Sequence, residues 1–175
     1  AMLKGLTVQY LIRQIHDVGP ATVLLSHAAA GGVGLILGQW AKALGATVIG
    51  TASTAEKRAL AEANGYDHVI AYRDPGVDVA AEVRGLTDGR GVDVVYDGVG
   101  RDTFTTSLDC LRPRGLLVTY GNASGPVEPF PPTLLAQKGS LFVTRPTLAN
   151  YADSPERTQE MADDVFGVLA SGDVT

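Results

Sequence analysis

The sequence is short of the residues that metals and disulfides require. It holds one cysteine, Cys110, and three scattered histidines, His16, His27 and His68. One cysteine excludes an internal disulfide and fits a reducing compartment, so a cytoplasmic location is expected. Cys110 has no second thiolate to share a metal, and no zinc site is expected. No apolar run reaches the roughly 18–20 residues of a membrane span. The first residues lack a basic region followed by an apolar stretch and a cleavage site, so no secretory leader is expected. A basic surplus is also missing. The formal net charge is −5, which argues against a general nucleic-acid role. The remainder is ordinary, 45% hydrophobic and 19% charged over 175 residues. A chain of that size forms one domain and buries roughly 70% of its unfolded surface.

Glycine is plentiful, with 21 copies, and its placement is informative. The stretch Ala28-Ala29-Ala30-Gly31-Gly32-Val33-Gly34 follows an apolar run, Thr22 to His27, and opens a helical pattern, Leu35 to Leu44. A strand, a tight glycine turn and a helix in that order form the first unit of a dinucleotide-binding fold. A pyrophosphate reaches backbone N–H groups only where no side chain intervenes, and the positive end of a helix favours an anion. Against the fingerprint G-x-G-x-x-G the match is Ala29, Gly31 and Gly34, with alanine in place of the first glycine.

The other elements follow from periodicity. Leu3, Leu6, Tyr10, Leu11 and Ile15 recur at helical spacing, which predicts a helix over 3–18 stopped by Gly19-Pro20. Strands are predicted at 22–27, 47–50, 68–72, 92–96, 116–120 and 140–144. Helices are predicted at 35–44, from 53–54 to 65, and at 77–86, 103–111 and 154–170. The first of these should turn Leu35, Ile36, Trp40 and Leu44 to the sheet, with Gly45 ending it. The last should gather Met161, Val165, Phe166 and Leu169 on one side. Ser53, with Glu56 three residues on, is the expected N-cap of the second. Arg112 to Gly115 should form a break, and Pro126 to Pro132 a proline-rich connection. Strands alternating with helices imply an α/β fold of the Rossmann type: a doubly wound, six-stranded parallel sheet of order 3-2-1-4-5-6. Ligands on such sheets bind beyond the carboxyl ends of the strands, where the order reverses. The loops after strands one, four and five meet there. All three are rich in small residues: 28–34, Asp97-Gly98-Val99-Gly100, and Gly121-Asn122-Ala123-Ser124-Gly125.

The cofactor type is read after strand two. An NAD site usually carries an acid there, about 20 residues beyond the glycine turn, to accept from the ribose 2′-hydroxyl. Here the residues are Gly50-Thr51-Ala52-Ser53-Thr54, with no carboxylate to repel a 2′-phosphate. Lys57 and Arg58 follow, and Tyr72 and Arg73 end the neighbouring strand. Ser53, Lys57 and Tyr72 can converge on a phosphate, so NADP(H) is the expected cofactor.

Several blocks are also familiar. Leu3 to Leu11, the 28–34 turn, Gln39-Trp40-Ala41-Lys42, Gly45 to Thr51, Asp93 to Asp97 and Gly121 to Gly125 together resemble quinone oxidoreductases of the zeta-crystallin type. These form a zinc-free branch of the medium-chain dehydrogenase/reductase superfamily, in which alanine at the first fingerprint position is usual. The resemblance covers essentially the whole chain. It implies a single NADP-binding domain over 1–175, without the family's N-terminal catalytic domain and C-terminal return segment. It also implies hydride transfer from NADPH to a quinone. Ala30 to Val33, through Gly31 and Gly32, would meet the pyrophosphate, with Ala29 and Gly34 as the flanking fingerprint positions. Ser53, Lys57 and Tyr72 would hold the 2′-phosphate. Val99 would touch the ribose near the nicotinamide, Gly121 and Asn122 would line the nicotinamide end, and Phe142 and Val143 would approach its amide through their backbones. No catalytic acid or base is expected among these residues, and the quinone pocket would lie mostly in the missing domain. The family joins subunits along strand six, so a homodimer through Leu141 to Thr144 is expected. Two other functions compete: an NADPH-dependent enoyl thioester reductase of the same superfamily, and an isolated nucleotide-binding module without catalysis of its own. As a fragment the chain should turn over little. Among single residues, Tyr96 and Trp40 read as core, Cys110 as a packed thiol and His27 as a buried, hydrogen-bonded ring. Asp97 reads as a cap on the turn after strand four.

Overall fold

A computed structural model of the protein describes residues 2–175. Six strands form one sheet in the order β3-β2-β1-β4-β5-β6, every neighbouring pair parallel. They are β1 (Val23–Ser26), β2 (Thr47–Ala52), β3 (His68–Ala71), β4 (Val92–Asp97), β5 (Leu111–Thr119) and β6 (Phe142–Thr144). The order reverses between β1 and β4, as the alternation predicts.

Successive side chains of a strand point to opposite faces, and both faces here are covered. Leu24, Val48, Val94, Tyr96 and Val118 share one buried cluster with Leu11, Leu37, Trp40 and Met161. The helices on that face are α1 (Met2–Gln9), α2 (Gly32–Ala43) and α7 (Pro155–Ser171). Leu25, Ile49, Val95 and Leu117 share the other cluster with Val83, Phe104 and Leu108. There the cover is α4 (Val79–Leu86), α5 (Phe104–Cys110) and the short α6 (Thr133–Gln137), while α3 (Ala55–Glu62) flanks β2 and β3.

The structure corrects several boundaries. The first helix is α-helical only to Gln9 and continues as a π-helical segment, Tyr10–Ile15. Its wider turn takes Tyr10, Leu11 and Ile12 into the core in succession, while Leu3 stays exposed. In α2 the residue turned fully inward is Leu37, beside Gly34, Gly38, Trp40 and Ala41, and Leu35 and Ile36 are half-buried. In α7 Met161 and Val165 are buried, but Phe166 and Leu169 face solvent and Val168 packs in their place. Gly5 causes this close seating, because a Cβ there would fall 2.9 Å from Val165 Cγ1. Thr54, rather than Ser53, caps α3, its hydroxyl accepting from Lys57 N–H. β5 begins at Leu111 and carries Arg112 to Gly115 as an irregularity, with a register shift against β4. Tyr96 and Trp40 are core, and Tyr96 Oη donates to Leu11 O at 3.1 Å.

Candidate cofactor-binding cleft

The cleft begins where β1 ends. The chain reverses through Ala28, which holds φ at 53°. The left-handed position is therefore Ala28, one residue before the expected first fingerprint position. Ala29 is fully buried, and its N–H donates to Thr51 O at 3.0 Å. Gly31 N–H donates to Ala28 O at 2.9 Å and closes the turn. A Cβ at Gly34 would lie 2.5 Å from Ala28 O and 2.6 Å from Ala29 O. Only glycine lets α2 start so close above the strand. Gly31 is the N-cap and brings no side chain to the first turn of α2. The N–H groups of that turn have no acceptor inside the helix, which is the arrangement that receives an anion. Gly31 and Gly32 are exposed there and Val33 is half-buried.

Beside this turn lies a pocket of about 180 Å³ walled by Ala30, Gly31, Thr51, Ser53, Lys57 and Tyr72. The structure thus brings together the three residues expected at a 2′-phosphate and two from the glycine turn. No carboxylate lines it, and among the described residues no carboxylate lies within ion-pairing distance of Lys57. A larger cavity of about 690 Å³ shares Ala28, Thr51 and Tyr72 with it and extends past Arg73 and Asp78 to Val99, Thr103 and Ser124. Arg73 stacks over the Tyr72 ring at 5.7 Å.

The loops after β4 and β5 interlock through main chain. Ala123 N–H donates to Gly98 O at 3.2 Å and Ser124 N–H to Val99 O at 2.8 Å. A Cβ at Gly121 would fall 2.8 Å from Gly98 O, and one at Gly100 2.5 Å from Gly125 O. Gly121 therefore acts by permitting this approach. Asn122 and Val143 line a third cavity of about 570 Å³, together with Thr119, Phe130 and Arg145. Phe142 stands apart from these walls, 62% exposed on the outer strand.

Asp97 is the hub of the β4 loop, and it does cap the turn. It is 1% exposed. Its Oδ1 accepts from Val99 N–H at 2.8 Å and Gly100 N–H at 3.1 Å. Its Oδ2 accepts from Thr103 Oγ1 at 2.6 Å and Ser107 Oγ at 2.7 Å. His27 is buried and hydrogen-bonded as expected, at 2.9 Å from Ser107 Oγ through Nε2 and 3.2 Å from Thr51 Oγ1 through Nδ1. Burial holds its pKa below the usual histidine value, with Asp97 opposing that shift. Ser107 and Thr119 also stand at the cleft, and no local motif marks them. Lys4 was missed too: its side chain crosses the start of α2, where a Cβ at Gly32 would fall 2.7 Å from Lys4 Cε. Among the described residues no group of three or more His, Cys, Asp or Glu side chains is arranged to hold a metal. Among the described residues no helix is long and apolar enough to cross a membrane.

A parallel sheet with a glycine turn at its switch point, and pockets lined from the loops after β1, β2 and β4, define a domain of the dinucleotide-binding α/β class. The model of the zinc-binding dehydrogenase family matches residues 32–165, and the chain belongs to that family. It is 56% identical over 173 residues to a quinone oxidoreductase of Pseudomonas aeruginosa, covering 99% of this chain and 53% of that protein. The structure of Escherichia coli quinone oxidoreductase complexed with NADPH superposes with a TM-score of 0.95 at 50% identity, covering 99% of this chain and 52% of the other. A 2-haloacrylate reductase of Burkholderia sp is 49% identical over 172 residues, covering 98% of this chain and 51% of that protein. The chain spans about half the length of these relatives.

Proposed function

We propose that this chain is the NADPH-binding domain of an oxidoreductase that transfers hydride from NADPH to a quinone. The observation that carries the proposal is the acid-free pocket in which Ser53, Lys57 and Tyr72 meet beside the glycine turn. A 2′-phosphate fits it: Lys57 supplies an ammonium, and Ser53 and Tyr72 supply hydroxyl donors. The pyrophosphate would rest on the N–H groups of Ala30 to Val33, where Gly31 and Gly32 leave the backbone open. NADPH, when bound, supplies the hydride. The residues of this chain hold and orient it. Val99, Gly121 and Asn122 would border the nicotinamide end, and Phe142 and Val143 would meet its amide through their backbones. No residue here is assigned a catalytic proton. The residues that position the quinone belong to the half of the relatives that this chain does not match.

A second reading is a reductase of activated alkenes, including enoyl thioesters. It is favoured by the 49% identity to a 2-haloacrylate reductase. The third is a nucleotide-binding module, since the chain alone would bind NADPH and reduce little. Two copies would join through β6, whose outer edge is open and carries the exposed Phe142. The lone buried Cys110 suits a reducing compartment such as the cytoplasm.

The test titrates NADPH and NADH against the wild type and Lys57→Ala, followed by nicotinamide fluorescence. A charge-assisted hydrogen bond contributes about 1.5–3 kcal/mol, so Lys57→Ala should weaken NADPH by roughly 10–100-fold and leave NADH nearly unchanged. Equal affinity of the wild type for both cofactors overturns the assignment.

A further inference from the structure

We propose that His27 is a positioning residue for the cofactor cleft: as a neutral ring in its Nε2–H form, it fixes the wall built on β2 relative to the wall built on β4. The inference rests on the NADPH reading above.

The hydrogen positions follow from counting donors. Asp97 accepts four hydrogen bonds, two on each oxygen. With every site accepting, it takes the Ser107 hydroxyl hydrogen rather than offering one. Ser107 Oγ therefore meets His27 as an acceptor, and the 2.9 Å contact is Nε2–H donating to Ser107. The proton on Nε2 leaves Nδ1 bare, so Thr51 Oγ1 donates to it at 3.2 Å. All four side chains are buried. The resulting chain runs Thr51, His27, Ser107, Asp97, and ends on the N–H groups of Val99 and Gly100.

Its span gives it a role in the cleft. Thr51 lies in β2 two residues before Ser53, in the wall of the 2′-phosphate pocket. Val99, in the loop after β4, lines the larger cavity, as do Thr51 and His27. β2 and β4 are not neighbours, since β1 lies between them. The His27 ring, just past the end of β1, joins Thr51 of β2 to Ser107 of α5, and Ser107 carries the link on to Asp97 at the end of β4. A ligand that touches both walls at once depends on their separation; a ligand that touches one does not.

The experiment compares two ligands on the 175-residue chain. For the wild type, His27→Leu, His27→Gln and Ser107→Ala, Kd is measured for NADPH and for adenosine 2′-phosphate. NADPH spans both walls, and the smaller ligand relies on the 2′-phosphate pocket. His27→Leu should weaken NADPH about tenfold and adenosine 2′-phosphate less than about threefold. His27→Gln, whose amide can donate toward Ser107 and accept from Thr51, should restore NADPH to within about threefold. Ser107→Ala should fall between them. In parallel, ¹⁵N NMR of the wild-type imidazole should show a proton on Nε2 and a bare Nδ1 at neutral pH. Unchanged NADPH affinity in folded His27→Leu, equal losses for both ligands, or a proton on Nδ1 overturns the role of His27 alone. Failure of the wild type to bind NADPH overturns the NADPH reading and this role with it. Should the leucine variant not fold, the failure of His27→Gln to hold NADPH affinity, or the wrong tautomer, refutes the proposal.

Discussion

The close start of α2 on the glycine turn makes Gly34→Ala a sharp test of how the cleft is built. Its Cβ would meet Ala28 O at 2.5 Å, Ala29 O at 2.6 Å and Ala29 C at 2.9 Å. All three are main-chain atoms, so no side chain can rotate away. The turn or the helix must shift, and overpacking of this kind costs about 1–3 kcal/mol. Alanine is the better helix former and returns about 0.5–1 kcal/mol. With backbone on both sides the upper end of the clash applies, which leaves a net loss of about 2 kcal/mol. For a chain of this size that is a fall in Tm of about 4–8 °C. Gly32→Ala is the internal control. It lies in the same turn of the same helix, but its Cβ meets only the Lys4 side chain, which can swing into solvent. That variant should melt at the wild-type temperature or up to about 3 °C above it. Thermal unfolding by circular dichroism reads both, with urea midpoints as a second measure. Equal stability of the two alanine variants would refute the reasoning, because the helix-propensity gain is common to both and the clash is not.

Three further outcomes follow from buried groups. His27 is held by burial below its ordinary pKa. As pH falls below about 6.5, the unfolded chain takes a proton that the folded chain refuses, so stability declines. His27→Gln should flatten the fall of the urea midpoint between pH 7.5 and 5.5. His16, also lowered by burial, leaves a residual slope; an unchanged slope would show that His27 is not the group involved. Asp93 is buried at the far end of the sheet and accepts from Arg90 Nη2 at 2.6 Å, Arg112 Nε at 2.7 Å and Val23 N–H at 2.8 Å. Burial alone would raise its pKa, but the Val23 N–H and the two guanidinium groups outweigh it and hold the carboxyl below its usual range. Its contribution is therefore present at neutral pH and is lost as pH falls through the carboxylate range. Asp93→Ala should cost about 3 kcal/mol at pH 7, with the deficit shrinking toward pH 3. Burial, reinforced by Asp109, pushes the Cys110 thiol up to about 12. A thiol reagent should leave the native protein unlabelled at pH 8 and modify one equivalent in guanidinium, and rapid native labelling would contradict the packing.

Features that rest on local rules were legible in the chain. Apolar runs broken by glycine and proline define strands, and the run Ala28 to Gly34 marks the tight turn before α2 because small residues are a local requirement there. The acid-free stretch after β2 could be read because a missing carboxylate leaves its mark at one position. What escaped depends on geometry between distant residues. Ala28 carries the left-handed backbone because the turn must bring Gly31 N–H to Ala28 O while Ala29 seats against β2. A fingerprint of glycines, met here by alanines, cannot indicate which alanine bends. On a helix of 3.6 residues per turn Phe166 lies about 140° from Met161 and Leu169 about 80°, while Val165 and Val168 stay within about 40° of it; which of these faces is buried is set by the seat of α7 on Gly5, a residue far away in sequence. His27, Thr51 and Ser107 form a chain whose members are 24 and 80 residues apart, and no period or motif links them.

The cleft divides into parts set by main chain and parts set by side chains, and this division assigns separate tasks to separate residues. Gly34 against Ala28, Gly121 against Gly98, and Gly100 against Gly125 are all backbone approaches that a single methyl would block. They fix where the loops after β1, β4 and β5 run, and any dinucleotide can use that shape. Discrimination must then come from the side chains exposed in it, because backbone N–H groups greet every pyrophosphate alike. Ser53 and Tyr72 stand just past the ends of β2 and β3 and Lys57 on α3, outside the loops after β1, β4 and β5. They can therefore change without moving the backbone that, on the proposed reading, would hold the rest of the ligand. The bond from Ala29 N–H to Thr51 O and the His27 bridge are the links between the two parts. On the proposed reading cofactor choice and cofactor placement would meet at Thr51, whose hydroxyl is hydrogen-bonded to His27 and whose carbonyl accepts from the N–H of Ala29 in the glycine turn.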